Sequence, residues 1–157
     1  VIMEMRYEIR YNVVSVSKLK EEYAELVNKA VAALSGSHSK YSEFCVGAAV
    51  LLENKKVFCG SNQENVSFPC STCAERSALN YAQSVFPDIN VSAIAIVAQK
   101  RHCENIEEYI SPCGLCRQVL VEVETRQKSP IKIILAGCSQ VVVFDSAADL
   151  LPFAFRL

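Results

Sequence analysis

Residues Val91–Ala98 read V-S-A-I-A-I-V-A, a nearly continuous apolar run with β-branched members. A half-exposed strand alternates apolar and polar residues, so this run predicts a strand covered on both faces. Such a strand needs layers on both sides of its sheet. Apolar residues at Leu19, Tyr23, Leu26, Ala30 and Ala33 form a helical stripe, with Ser17 as its expected cap and Gly36 as its stop. Val46–Leu52 and Val57–Ser61 read as strands around the polar turn Glu53–Lys56. Helices are expected over Thr72–Ala82 and Cys113–Val123. Strands are expected over Ile131–Ala136 and Val141–Asp145, with Gly137–Gln140 as a hairpin turn. A short helix over Ala147–Leu151 stops at Pro152. The order α-β-β-α-β-α-β-β-α predicts an α/β fold, a three-layer α/β/α sandwich with a mixed five-stranded sheet. Its middle would be parallel and its end hairpins antiparallel.

The chain has 157 residues, the size of one compact domain. Hydrophobic residues make up 51% and charged residues 21%, which excludes a disordered tail and a charged coiled coil. The longest apolar runs fall far short of the ~20 residues that a membrane-spanning helix needs. Lys and Arg number 16 against 17 Asp and Glu, a net charge of −1. That balance argues against a protein that binds by neutralising nucleic-acid phosphates. Met3–Arg10 alternates charge and does not resemble a signal peptide. A core of this size needs no disulfide staples, so the eight cysteines are expected to be reduced thiols in a cytoplasmic protein.

Cys70/Cys73 and Cys113/Cys116 form two Cys-x-x-Cys pairs, a spacing that points to zinc in a reducing compartment. Pro69 and Pro112 stand just ahead of expected helices and so place both pairs at helix N-termini. The backbone dipoles there lower thiol pKa values. One reading is a closed structural site of Cys70, Cys73, Cys113 and Cys116. The other uses Cys73, Cys113 and Cys116 and leaves a fourth tetrahedral position open to water, whose pKa zinc lowers toward ~7. Glu75, two residues beyond Cys73, cannot comfortably share the ion with it but can lie beside that position and move protons. His38 and His102 sit in polar stretches without ligand spacing, and Cys45, Cys59, Cys103 and Cys138 have no ligand spacing either.

Five motifs then occur in order: Tyr41-Ser-Glu-Phe44-Cys-Val46-Gly47-Ala48-Ala49; Asn62-Gln-Glu64-Asn65; Cys73-Ala-Glu75-Arg76; Ser111-Pro-Cys113-Gly-Leu-Cys116-Arg117-Gln118; and Leu150-Leu-Pro152 with Phe155. Together they resemble the small, single-domain, zinc-dependent cytidine deaminases of pyrimidine salvage. The resemblance runs from about Leu19 to Phe155, which sets residues 17–157 as the deaminase-like domain and residues 1–16 as an N-terminal extension. It implies a hydrolase that converts cytidine and deoxycytidine to uridine and deoxyuridine plus ammonia, with one Zn²⁺ per chain on Cys73, Cys113 and Cys116. It gives Glu75 the proton transfers and Arg76 a contact with the thiolate sulfurs. It gives Asn62 and Glu64 the ribose hydroxyls and Phe44 a base-stacking role. The backbone around Ala74 and Ser111 would complete the base pocket. Phe155 would serve a neighbouring subunit's site, in a homotetramer with shared sites. The implied partner is a free pyrimidine nucleoside, with no nucleic acid and no membrane. Cys45 departs from the family's usual proline in F-P-V-G.

Three other readings remain. A deaminase of a cytosine-containing antibiotic shares the C-A-E and P-C-G-x-C-R-Q motifs but lacks N-x-E-N. A polynucleotide deaminase is disfavoured by the neutral charge. A zinc-stabilised binding module would carry out no catalysis.

Overall fold

The computed structural model describes residues 2–157. One sheet runs through the molecule in the order β1-β6-β5-β4-β2-β3. Its strands are β1 (Asn12–Val14), β2 (Phe44–Leu52), β3 (Val57–Ser61), β4 (Val91–Lys100), β5 (Lys132–Ala136) and β6 (Val141–Phe144). Among the described residues, three α-helices cover it: α1 (Glu21–Ala33), α2 (Ala74–Val85) and α3 (Gly114–Gln127).

β4 lies inside the sheet and is buried from Ala93 to Ala98. Alternate residues serve two cores. Ala48, Val50, Ile94, Ile96, Ile133 and Leu135 face α2 and α3 with Leu79 and Leu120. Ala49, Leu51, Ala93, Ala95, Val97 and Ile134 face α1 with Leu26, Val27 and Ala30. The α1 side of the central strands is rich in small residues, and this lets α1 approach closely. A Cβ on Gly47 would lie 2.1 Å from the Ala30 carbonyl oxygen. This is the expected α/β/α sandwich.

Among the described residues the sheet has six strands, not five. The sixth is β1, which pairs antiparallel with β6 through Val13 opposite Val142. It is only three residues long, and Val14 alone packs into the α1-side core. So short a strand carries little pattern of its own. The extension expected over residues 1–16 therefore contributes an edge strand, while Val1 itself lies outside the described residues. The middle of the sheet is less parallel than expected, because only β4 and β5 pair that way. The β3–α2–β4 crossover makes β4 run with β3, but β2 sits between them and pairs antiparallel with both.

Helix starts differ too. Ser17 does not cap α1; it lies in a 3₁₀ turn over Val16–Lys18. Leu19 stays extended with its side chain against the α1-side core, so the helix begins only at Glu21. Glu21 and Glu22 in the first turn complement the helix dipole. The C-terminal turn Ala147–Leu150 is also 3₁₀. It is tied to α3 by Glu124, whose carboxylate accepts the N–H groups of Ala147 (2.7 Å) and Ile131 (2.8 Å). Among the described residues, no helix is long and apolar enough to cross a membrane.

Candidate active site

Cys73 and the Cys113/Cys116 pair open helices, but Cys70, expected with Cys73 at the same helix N-terminus, lies in a separate 3₁₀ turn. Cys73 is the N-cap of α2 and Cys113 the N-cap of α3, each with extended backbone, and Cys116 lies buried in the first turn of α3. Packing fixes where these ends sit. A Cβ on Gly60 of β3 would lie 2.5 Å from Ala78 N and 2.8 Å from Ala74 O, so only glycine lets the start of α2 rest on β3. Arg117 Nε donates to Pro112 O (2.8 Å) and Nη1 to Leu150 O (3.2 Å), which pins the start of α3.

The two ends converge. The Sγ atoms of Cys73, Cys113 and Cys116 all lie within 4.8 Å of one another. Cys70 stands outside this cluster, exposed in the 3₁₀ turn Phe68–Cys70. Cys73 is pulled from 9.0 down to about 5, chiefly by the hydrogen bond from Cys116; burial opposes this, and Cys113 and the Arg76 guanidinium assist. Cys116 is pushed up as the donor in that bond, and its burial adds to the effect. Arg76 Nη2 donates to Ser71 O at 3.1 Å, while its buried Nε has no protein acceptor. Three soft donors, one with a lowered pKa, and a neighbouring guanidinium fit a divalent zinc ion.

Glu75, in the first turn of α2, is 5% exposed. Burial raises its pKa and the Cys73 thiolate raises it further, against hydrogen bonding that lowers it. Glu75 lines a small cavity with Ala74, Ser111, Val46 and the two N-cap cysteines. Asn62 and Cys73 also line a larger cleft of about 440 Å³, which reaches Glu64, Tyr41 and Ser42. The two cavities share Asn62 and Cys73, which sets Glu75, Ala74, Ser111 and Cys113 next to Glu64 and the larger cleft.

Asn62 and Glu64 also brace their own surroundings. Asn62 Oδ1 accepts Val46 N–H (2.8 Å) and its Nδ2 donates to Phe44 O (2.9 Å). Glu64 accepts Tyr41 N–H (2.7 Å) and the Ser42 hydroxyl. Desolvation works against the Glu64 carboxylate, but these hydrogen bonds hold its pKa below 4.5. Phe44 lines neither cavity; its carbonyl, not its ring, is tied to Asn62. Phe155 is 70% exposed and lies along α3, where its backbone pairs reciprocally with the Gln118 side chain (2.9 and 3.1 Å). It does not reach its own chain's cleft.

Sequence reasoning missed Phe68, which lines the larger cleft and meets Tyr41 edge to face at 6.0 Å. It also missed the bracing by Ser42. Neither has a periodic or spacing signal, and only the fold brings residues 41–42 beside residues 64–68.

A sandwich that aims two cysteine-bearing helix ends at a buried carboxyl defines a zinc-dependent hydrolase class. Comparison with known proteins narrows this. The family model "Cytidine and deoxycytidylate deaminase zinc-binding region" matches residues 20–129, and the chain belongs to that family. It is 36% identical over 130 residues to a cytidine deaminase of Halalkalibacterium halodurans, covering 83% of this chain and 91% of that one. The crystal structure of a cytidine deaminase from Burkholderia pseudomallei superimposes with a TM-score of 0.70 at 38% identity, over 83% of this chain and 97% of the other. The cytidine deaminase of Mycobacterium tuberculosis gives 0.68 at 32% identity, over 88% of this chain and all of its own.

Proposed function

We propose that this chain hydrolyses cytidine and deoxycytidine to uridine and deoxyuridine plus ammonia, as a pyrimidine-salvage enzyme. The observation that carries the reading is the convergence of Cys73, Cys113 and Cys116 beside the buried Glu75, next to a cleft lined by Asn62 and Glu64. The family match and the similarity to cytidine deaminases over most of the chain support it.

Cys73, Cys113 and Cys116 would hold one zinc per chain, which would supply Lewis-acid activation of water at neutral pH. Glu75 takes a proton from the attacking water and passes it to N3 of the cytosine ring, which makes C4 electrophilic. It then carries the second proton to the departing amino group, so that water and cytidine become uridine and ammonia. A buried carboxyl with a raised pKa suits both transfers. Arg76 offsets the negative charge of the thiolates through its unpartnered Nε.

Asn62 and Glu64 hold the ribose hydroxyls. Asn62 has one Nδ2 hydrogen to offer beyond its bond to Phe44, and Glu64 has acceptor capacity beyond its loop bonds. The backbone near Ala74 and Ser111 frames the base, and the motif Tyr41–Ala49 supports a stacking role for Phe44. Phe155 serves a neighbouring copy, in a homotetramer with shared sites. Its exposure, and its place outside the lining of its own chain's cleft, favour that role over an internal one. Residues 17–157 form the catalytic domain and residues 1–16 an extension to it. Eight free cysteines among the described residues support a reducing, cytoplasmic setting.

The test is the cytidine absorbance band after addition of purified, zinc-replete protein. Its loss, with formation of uridine, supports the reading. An unchanged band with free cytidine, but turnover of a polynucleotide or of a cytosine-containing antibiotic, would overturn the substrate assignment.

A further inference from the structure

The alternating charge of residues 3–11 has no part in the cleft. Along this segment Met3, Met5, Tyr7, Ile9 and Tyr11 alternate with Glu4, Arg6, Glu8 and Arg10. This is a strand pattern with one apolar and one charged face. It leads into β1, which is the edge of the sheet, and residues 3–11 themselves pair with no strand of their own chain. The apolar face is unevenly covered. Ile9 is 44% exposed and Tyr11 stacks on Phe144 at 5.5 Å, whereas Met3 and Met5 are 78% and 80% exposed.

We propose that residues 3–11 of two copies of this chain pair antiparallel about Tyr7. In that register Glu4 lies opposite Arg10, Arg6 opposite Glu8, and Tyr7 opposite its own counterpart. All four charges of each copy then meet an opposite charge. The neighbouring in-phase registers fail. One places Glu4 opposite Glu8 and Arg6 opposite itself; the other places Arg6 opposite Arg10 and Glu8 opposite itself. A slip by one residue would set apolar side chains against charged ones. The same register sets Met3 beside the other copy's Tyr11 and Met5 beside its Ile9. Each exposed end is thereby laid along the end that the other copy's body already covers. The unpaired backbone of residues 3–11 supplies the hydrogen bonds, as an open strand edge does. The inference is independent of the deaminase reading, since none of these residues lines the cleft.

The test exploits the symmetry of position 7. A disulfide that joins position 7 to position 7 can form only between two copies. Tyr7→Cys protein is oxidised mildly and its disulfides are mapped by peptide mass spectrometry, which separates the new link from native thiols. A link between the two copies at position 7 is expected in the full chain. Met5→Cys should give no such symmetric link at position 5, because the two introduced thiols would lie about 13 Å apart along the ribbon. Adding Glu4→Arg with Glu8→Arg, or Arg6→Glu with Arg10→Glu, to the Tyr7→Cys protein should cut the yield of the position-7 link by about tenfold or more. Mixing the two charge-reversed proteins should restore it. No link at position 7, an equal link at position 5, a link that survives either reversal, or a mixture that fails to restore it would each overturn the proposal.

Discussion

Cys73 Sγ and Cys113 Sγ lie 3.9 Å apart, although 40 residues separate them in the chain. Metal–sulfur bonds of about 2.3 Å arranged tetrahedrally place two sulfurs about 3.8 Å apart. The protein scaffold therefore sets these two thiols at the spacing a zinc ion requires and brings Cys116 within 4.8 Å of both. It does so by resting α2 on Gly60 and pinning the start of α3 with Arg117.

Glu75→Gln should lower turnover by about 10²–10⁴ and leave zinc content unchanged. The amide matches the carboxyl in size but cannot carry a proton, and Glu75 is not among the clustered ligands. Metal analysis beside steady-state kinetics checks this. Loss of zinc in the variant would make Glu75 a ligand.

Asn62→Ala should cost both stability and activity. It leaves Val46 N–H and Phe44 C=O without their partner, a loss of about 1–3 kcal/mol if they stay buried. Thermal unfolding reads that part. The ribose role is read separately, as kcat/KM on cytidine against an analogue lacking the relevant hydroxyl. The wild-type preference for cytidine should shrink in both Asn62→Ala and Glu64→Ala. Equal losses on the two substrates would leave only the bracing role.

Acid should release the loop at Tyr41 and Ser42. The Glu64 carboxyl has a folded pKa below its ordinary 4.5. Its contribution is therefore complete above that value and is lost as pH falls through the lowered folded pKa. The Tyr41 and Ser42 amide signals in an NMR titration should move with a midpoint below 4.5, and Glu64→Gln should abolish that midpoint. A midpoint above 4.5 would contradict the assigned hydrogen bonds.

Arg76→Gln should weaken zinc retention by about 10–100-fold, because the thiolates lose a compensating charge that also helps hold Cys73 low. The acidic limb of the pH–rate profile should move upward. Competition with a chelator and a pH–rate series check the two effects. Wild-type retention with an unmoved profile would make Arg76 a structural residue.

Much of this architecture is legible in sequence because its signals are strong and local. The two-faced burial of Val91–Ala98 required layers on both sides, and Pro112 marked the start of α3, whereas Pro69 lies in a separate 3₁₀ turn and α2 begins only at Ala74. Three features escaped. β1 is too short to carry a periodic signal and exists through its pairing with β6. The start of α1 moved from Ser17 to Glu21 because burial of Leu19 outweighs a favourable cap residue. Strand neighbours in the middle were misjudged because a crossover fixes direction and leaves adjacency open: β3 and β4 run together with β2 between them. In the site, the family motifs named the cluster and its carboxyl. The bracing of Glu64 by Ser42, and the place of Phe68, depend on contacts between segments about 20 residues apart or more, which local pattern does not record.

The central claim is that three cysteines, not four, hold the metal and leave a position for chemistry. The direct measurement is zinc content with cytidine turnover in Cys70→Ser and Cys73→Ser. Cys70→Ser should keep one zinc per chain and near-normal turnover, because Cys70 lies outside the cluster. Cys73→Ser should lose both. If Cys70→Ser sheds its zinc, the site is a closed four-cysteine structural one, and the deaminase mechanism is contradicted.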